Sequence, residues 1–436
     1  MMGLSAYPAY VESEVEWLGT IPKGWRVGKF RHLFIESAET NGTIPVGDML
    51  SVSGYRGIET KEYDDENRKR SDADLETYRV VRVGQLAVNT MWLNYAGLGV
   101  STFEGHMSPA YRAYWIRPQL FGRYAHHLLR SSIYVNAYTG HLTGVRPNSL
   151  QMNRNTLMGW PIVVPPLVEQ AQISDYLDRE TGQIDALIAQ QEQLVETLTE
   201  RRQAVIAQAV TRGLDPTVEF KESEVPWFGR IPTHWLTPKV SLHFDVTLGK
   251  MLDVKRPHHS DDVLLPYVRA GNVHEAGLDL DDLNEMPFSP EEASSLTLRR
   301  GDLLVVEGGA VGVNQYLEDD LSGVSFQKTV NRVRPLDQAS ARFLGFVLDV
   351  IRYRGVIDML CNKSTIAHLT ADKLERIVFP QPPVDEQEKI VAHLREATAR
   401  TDALIDKAGE VVEVLRERRQ ALINSAVTGK IDVRGL

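Results

Sequence analysis

Residues 168–215 read VEQAQISDYLDRETGQIDALIAQQEQLVETLTERRQAVIAQAVTRGLD, and residues 385–432 read DEQEKIVAHLREATARTDALIDKAGEVVEVLRERRQALINSAVTGKID. At an offset of 217, 22 of these 48 positions are identical without a gap. The block Asp185 to Ile188 returns as Asp402 to Ile405, and Glu200 to Ala204 returns as Glu417 to Ala421. Chance does not give this, so the chain carries one unit twice.

Each copy of the stretch has helical periodicity. Ile184, Leu187, Gln191, Leu194, Leu198, Arg201 and Val205 alternate spacings of three and four, as do Thr401, Leu404, Ala408, Val411, Leu415, Arg418 and Leu422. That is the spacing of a coiled-coil seam. Pro165-Pro166 and Pro382-Pro383 stand just ahead, where proline does not interrupt a helix. Asp385 can cap its helix and Val168 cannot. Gly213 and Gly429 mark the stops. Gly182 and Gly409 fall inside, each costing about 1 kcal/mol against Ala, which leaves room for a bend or break there. A helix over 183–212 would span roughly 45 Å. The simplest partner for its seam is the other copy.

Working outward, EVEWLGTIPKGW (ending at Trp25) returns as EVPWFGRIPTHW (ending at Trp235) at an offset of 210. Between the opening and the helix, short apolar runs such as QLAVNTMW (85–92) and DLLVVEGG (302–309) are punctuated by Gly, Pro and Asn, as strands and turns are. The expected class is α+β: two pseudo-symmetric α/β globules joined by two long helices that form an antiparallel coiled-coil spacer. The expected boundaries are 1–166 and 216–383 for the globules, and 167–215 and 384–436 for the helices.

The 436 residues allow two to four domains, and 43% hydrophobic residues allow a buried core. The net charge of -10 argues against a nucleic-acid binder until it is located. Residues 168–215 hold 9 acidic and 4 basic side chains, and residues 385–432 hold 10 and 8. The helices thus carry -7 of the -10, which leaves the globules near neutral and free to present a basic face. One cysteine, Cys361, excludes an intrachain disulfide and fits a reducing, cytoplasmic setting. No secretory signal and no transmembrane run is expected. The sequence has no GxxxxGK[ST], HExxH or GxSxG motif. The adjacent pairs His126-His127 and His258-His259 do not share a face of a helix or strand, so no metal site is expected. Nothing here equips the chain for chemistry of its own.

The stretches PPLVEQAQI (165–173) and PPVDEQEKI (382–390), the ERRQA blocks and the Trp-Leu/Phe-Gly-x-Ile-Pro-x-x-Trp openings resemble the specificity subunits of type I restriction-modification systems. VGQLAVNTMW (83–92) and RGDLLVVEGG (300–309) resemble that family's Gly-Asp-Leu strand, with Gln85 standing where Asp is usual. GHMSPAYRAYWIRP (105–118) and YVRAGNV (267–273) fit its target-recognition domains. The resemblance covers essentially the whole chain. It implies a non-catalytic subunit on double-stranded DNA, each globule reading one half of a split, asymmetric target. Two modification subunits would bind the helices, hold S-adenosylmethionine and methylate adenine, so no cofactor is expected in this chain. Two restriction subunits are an optional addition. Half-sites about one helical turn apart, roughly 34 Å, suit two globules on such a spacer.

Base edges are read by Arg, Lys, Asn, Gln and small polar groups, and phosphates by basic groups. In the first globule the candidates are Tyr55, Arg56, Asn89, Trp92, Asn94, Tyr95, Arg146, Asn148 and Ser149. In the second they are Lys250, Lys255, Arg256, Arg269, Asn272, Glu307, Gln327, Lys328, Lys363 and Ser364, with Lys250 to His259 as the main phosphate patch. Against these, Trp92 reads more simply as core, and Asn89 and Glu307 as turn-closing residues. Trp17, Trp25, Trp227 and Trp235 read as packing anchors. Arg201-Arg202 and Arg418-Arg419 are expected to meet acidic residues of the opposite helix or of a partner subunit. Two other readings stand beside this one. A coiled-coil scaffold without DNA contact fits the acidic total, and a stand-alone methyltransferase lacks its motifs.

Overall fold

The computed structural model describes residues 5–61, 75–144, 150–252, 260–361 and 367–435. The chain forms two compact units, residues 1–192 with 409–436, and residues 193–408.

In the first unit β1 (Phe34–Ser37), β2 (Leu86–Asn89), β3 (Leu98–Val100) and β4 (Tyr111–Ile116) form an antiparallel sheet in the order β1-β4-β2-β3. Its partner helix α1 (Gly122–Arg130) puts Tyr124, Ala125, Leu128 and Leu129 into the core. In the second unit β5 (Phe244–Leu248), β6 (Leu303–Val306), β7 (Asn314–Tyr316) and β8 (Val330–Pro335) repeat that order as β5-β8-β6-β7. Helix α2 (Ala341–Tyr353) packs against it. The registers agree as well: Leu86 faces Tyr114, and Leu303 faces Val333. The runs LAVN and LLVV are fully buried, which is why they read as continuous apolar strands. A second, mixed sheet stands in each unit, with one parallel pairing: Gly105 opposite Asp48, and Tyr267 opposite Ser325.

The repeated opening folds as a hairpin, Tyr10–Glu12 with Thr20–Pro22 and Phe220–Glu222 with Arg230–Pro232. Trp25 and Trp235 are buried, and Trp17 stacks on Trp160 with ring centroids 5.9 Å apart. Packing is thus the role of these tryptophans.

The long helices run Leu167–Arg212 and Val384–Val427, 46 and 44 residues. Neither breaks at Gly182 or Gly409. Both glycines face outward with nothing near a notional Cβ, and packing on flanking turns outweighs a cost of about 1 kcal/mol. Gly213 and Gly429, both at φ 72°, end the helices in the left-handed region. A Cβ on Gly429 would strike Pro22 and Trp25, and one on Gly213 would press on Trp235. Each helix end therefore closes against the opening motif, which explains why both recur together.

In the first unit the two helices meet antiparallel, Asp185 with Arg419 and Glu192 with Arg416. The seam differs from the expected one. Ile184 and Ile188 pack on Val412, with Leu415 and Leu422 beside them, whereas Leu187, Leu194, Leu404 and Val411 are exposed. A helix of 3.6 residues per turn drifts from a strict 3.5 repeat, so Ile188 takes the contact assigned to Leu187.

One position departs between the copies in an informative way. Asp302 is buried and takes both ends of Arg334, Nε and Nη2 each at 2.7 Å, and it accepts from the backbone of Arg299 at 2.8 Å. Its counterpart Gln85 accepts from the backbone of Arg82 at 2.8 Å. At the register position of Arg334 the first unit has Trp115. Losing the cation and losing the anion go together.

Candidate nucleic-acid interface

The helix-entry motif builds each unit's frame. In Pro-Pro-x-x-Glu-Gln, the Gln170 amide donates to Pro165 O at 2.8 Å and accepts from Phe121 N at 2.7 Å, the start of α1. Gln387 repeats this with Pro382 O at 2.8 Å and Ser340 N at 2.9 Å, the start of α2. The glutamate holds the opening motif: Trp25 Nε1 donates to Glu169 at 2.9 Å, and His234 Nε2 lies 2.8 Å from Glu386. Fixed this way, α1 and α2 position the loops beyond β2 and β6.

In the first unit the organising residue is Arg130, which the sequence reading missed. It is buried at the end of α1 and donates to four backbone carbonyls: Ala96 at 2.9 Å, Leu98 at 2.5 Å, Ser53 at 3.2 Å and Gly54 at 2.8 Å. Burial and the nearby Arg419 push its pKa down to about 10, so it stays a cation at neutral pH. Beside it, His126 accepts from Val100 N at 3.2 Å, and burial holds its pKa at about 3, so the ring is neutral. His127 instead meets Asp178 at 2.7 Å, so the two adjacent histidines serve different contacts.

The candidates of this unit divide. Tyr55 donates to Asp185, and its ring lies 4.7 Å from the Arg419 guanidinium, so it docks its loop on the helices. Arg56 is exposed and 3.0 Å from Glu59. Asn89 is buried and closes a turn by accepting from Met91 N at 3.1 Å. Trp92 is 56% exposed, contrary to the core reading, because it follows the strand's end rather than lying within it. Asn94 is half-buried, next to exposed Tyr95. Arg146, Asn148 and Ser149 lie outside the described residues.

Of the expected phosphate patch in the second unit, residues 250–252 are described. Lys250 is bound to Glu292 and lies 5.0 Å from the Phe288 ring, so its charge is neutralised. Lys255, Arg256 and His258-His259 lie outside the described residues, as do Lys363 and Ser364. Asn272 is buried, accepting from Arg269 N at 3.0 Å and donating to Asp282 O at 3.0 Å. Arg269 pairs with Asp282 at 2.6 Å. These bonds shape the loop that carries both residues. Gln327 accepts from Thr329 at 3.1 Å, and Lys328 is exposed beside it. Glu307 follows β6; burial raises its pKa, while His368 and Lys328 nearby oppose the rise.

Of the arginine pairs on the helices, one member each is occupied internally. Arg202 meets Asp402 at 2.6 Å and Arg419 meets Asp185 at 2.8 Å, positions equivalent in the two copies. Arg201 and Arg418 are exposed. Among the described residues no group of acidic, histidine or cysteine side chains could hold a metal, and no helix is long and apolar enough to cross a membrane.

Residues 244–414 match the model of the type I restriction modification DNA specificity domain. The segment lies in the second copy, whose sheet order and helix-entry bonds the first copy repeats. The chain is 25% identical over 329 residues to the EcoKI specificity subunit of Escherichia coli strain K12, covering 72% of this chain and 67% of that protein. It is 23% identical over 317 residues to the EcoBI specificity subunit of Escherichia coli, covering 68% and 65%. The MjaVIII specificity subunit of Methanocaldococcus jannaschii is 22% identical over 284 residues, covering 63% of each. These alignments span about two thirds of the relatives' length. A solved chain from a type I R-M system has the same fold, with a TM-score of 0.65 at 16% identity over 94% of this chain and 99% of that one. The chain is thus similar to the specificity subunits of type I restriction-modification systems, and residues 244–414 carry the match to their DNA specificity domain.

Proposed function

We propose that this chain is the non-catalytic DNA-reading subunit of a type I restriction-modification complex, each unit reading one half of a bipartite, asymmetric target. The observation that carries the reading is the repeated frame with unlike loops. Sheet order, register and the Gln170 and Gln387 bonds recur, while the loops after β2 and β6 share neither shape nor chemistry. A reader of two different short sequences needs that combination. Two modification subunits carry S-adenosylmethionine and methylate adenine, and they dock on the long helices through groups such as Arg201 and Arg418. Restriction subunits join the same assembly. In the first unit Arg56, Trp92, Asn94 and Tyr95 face the DNA; in the second, Gln327, Lys328 and Glu307 do.

Sequencing host DNA for methylated adenine, with and without the gene, tests this. Loss of methylation at one split motif is expected on deletion. Replacing residues 216–383 by those of another family member should then change one half of the motif only. A change in both halves, or in neither, refutes the modular reading.

A further inference from the structure

The loop after β2 leaves two large aromatic rings in solvent. Trp92 is 56% exposed and Tyr95 65%, with centroids 6.0 Å apart at 64°. Scattered exposed aromatics are ordinary on protein surfaces. These two are adjacent, and the backbone beneath them is built tightly. Leu93 between them is fully buried, and Gly97 N donates to Trp92 O at 2.8 Å. Ala96 sits at φ 54°, left-handed and uncommon for a residue with a side chain. A Cβ on Gly97 would lie 2.5 Å from Trp92 O, so that turn tolerates no side chain.

Arg130 holds this loop at Ala96 and Leu98, and with the same guanidinium it holds the neighbouring loop at Ser53 and Gly54. That second loop carries exposed Arg56 and touches the first where a Cβ on Gly54 would meet Tyr95 O at 2.8 Å. A buried cation spent on backbone carbonyls is a costly way to fix two loops unless their position matters. The second unit lacks the device. Its loop after β6 runs Glu307-Gly-Gly-Ala-Val-Gly-Val313 without an aromatic, and Asp349 stands at the place of Arg130. The rings are therefore no requirement of the frame.

We propose that Trp92 and Tyr95 form a stacking surface for nucleobases of the first half-site, where a base step is unstacked, and that Arg130 is the positioning residue that presents them. The proposal rests on the DNA-reading role and names the contact within it. Aromatic rings meet base faces without counterion release, so their contribution is nearly independent of salt. Arg56 on the adjoining loop supplies the positive charge that draws the strand in.

The test uses the full chain assembled with its modification subunits and a duplex bearing its own target, with 2-aminopurine placed in turn along each half-site. Trp92→Ala and Tyr95→Ala are each expected to weaken binding about 10- to 100-fold with the salt slope unchanged. Trp92→Phe should restore most of it. Fluorescence of 2-aminopurine in the first half-site should respond to the wild type and not to Trp92→Ala. Arg130→Met should lower discrimination at the first half-site while leaving the second intact, a split that general loss of fold would not give. Binding within twofold of wild type for both alanine variants overturns the stacking surface, even if the target is still read. A wild-type complex that does not distinguish its target from a scrambled duplex removes the DNA-reading role itself, and this proposal with it.

Discussion

Removing Arg334 should unsettle the second unit far more than its partial exposure suggests. Asp302 is 1% exposed, and the two charge-assisted bonds from Arg334, each 2.7 Å, accompany a single backbone donor, Arg299 N at 2.8 Å. Arg334→Met leaves that carboxylate buried without its counter-charge, which costs about 3–5 kcal/mol. Asp302→Gln is milder. Arg334 is 26% exposed and keeps its bond to Thr297 O at 2.9 Å, so the loss is about 1–2 kcal/mol. The double variant Asp302→Gln with Arg334→Trp copies the first unit's arrangement and should be less destabilised than Arg334→Met alone. Hydrogen exchange of the full chain, read at the amides of β6 and β8, measures this locally without assuming that the two units unfold together. Arg334→Met is expected to lower protection there roughly 150- to 5000-fold, with the double variant recovering most of it. If the two substitutions simply add, to within about 0.5 kcal/mol, the pairing logic is wrong.

The long helices and α2 supply two further predictions. Gly182→Ala and Gly409→Ala point a methyl into open space on a continuous helix, so each should stabilise by about 1 kcal/mol and raise the thermal midpoint; a fall would mean that the glycines serve a bend. Asp349 is partly buried, accepts from Asn314 Nδ2 at 2.8 Å and has its pKa raised to about 6 by burial, with Arg202 and Arg352 nearby opposing the rise and Glu275 adding to it. The folded state then holds a proton that the unfolded chain releases near pH 4, so this group makes stability fall as pH climbs from about 4 through 6. Asp349→Asn should flatten denaturant midpoints over that window and add up to about 3 kcal/mol at pH 7; an unchanged pH profile would refute the assignment.

The architecture was legible because it is written twice. An apolar period of three and four over dozens of residues, bracketed by Pro-Pro and Gly, admits little but a long helix, and both helices formed where those signals stand. The seam was less legible: Leu187 and Ile188 are equally apolar, and only the partner's position selects between them. The site was least legible. Lys250 and Arg269 have the composition of DNA contacts, yet Glu292 and Asp282, distant or unremarkable in sequence, neutralise them. Asn272 closes a loop because its amide fits two backbone groups, which composition does not reveal. Arg130 gave no signal, since its partners are carbonyl oxygens that every residue possesses.

The repeat separates frame from reading surface more sharply than either copy does alone. Where both copies keep a residue with the same partners, as at Gln170 and Gln387 or Arg202 and Arg419, the contact belongs to the fold. Where they differ, two kinds of change appear. Asp302 with Arg334 against Gln85 with Trp115 is a compensated change: charge disappears in pairs and the strand register is unaffected. Trp92 and Tyr95 against Gly309 and its neighbours is uncompensated, because among the described residues no partner within the unit covers the rings. A compensated difference conserves stability inside the unit. An uncompensated one is explained by what lies outside it, and under the proposed reading of two unlike half-sites that is the DNA.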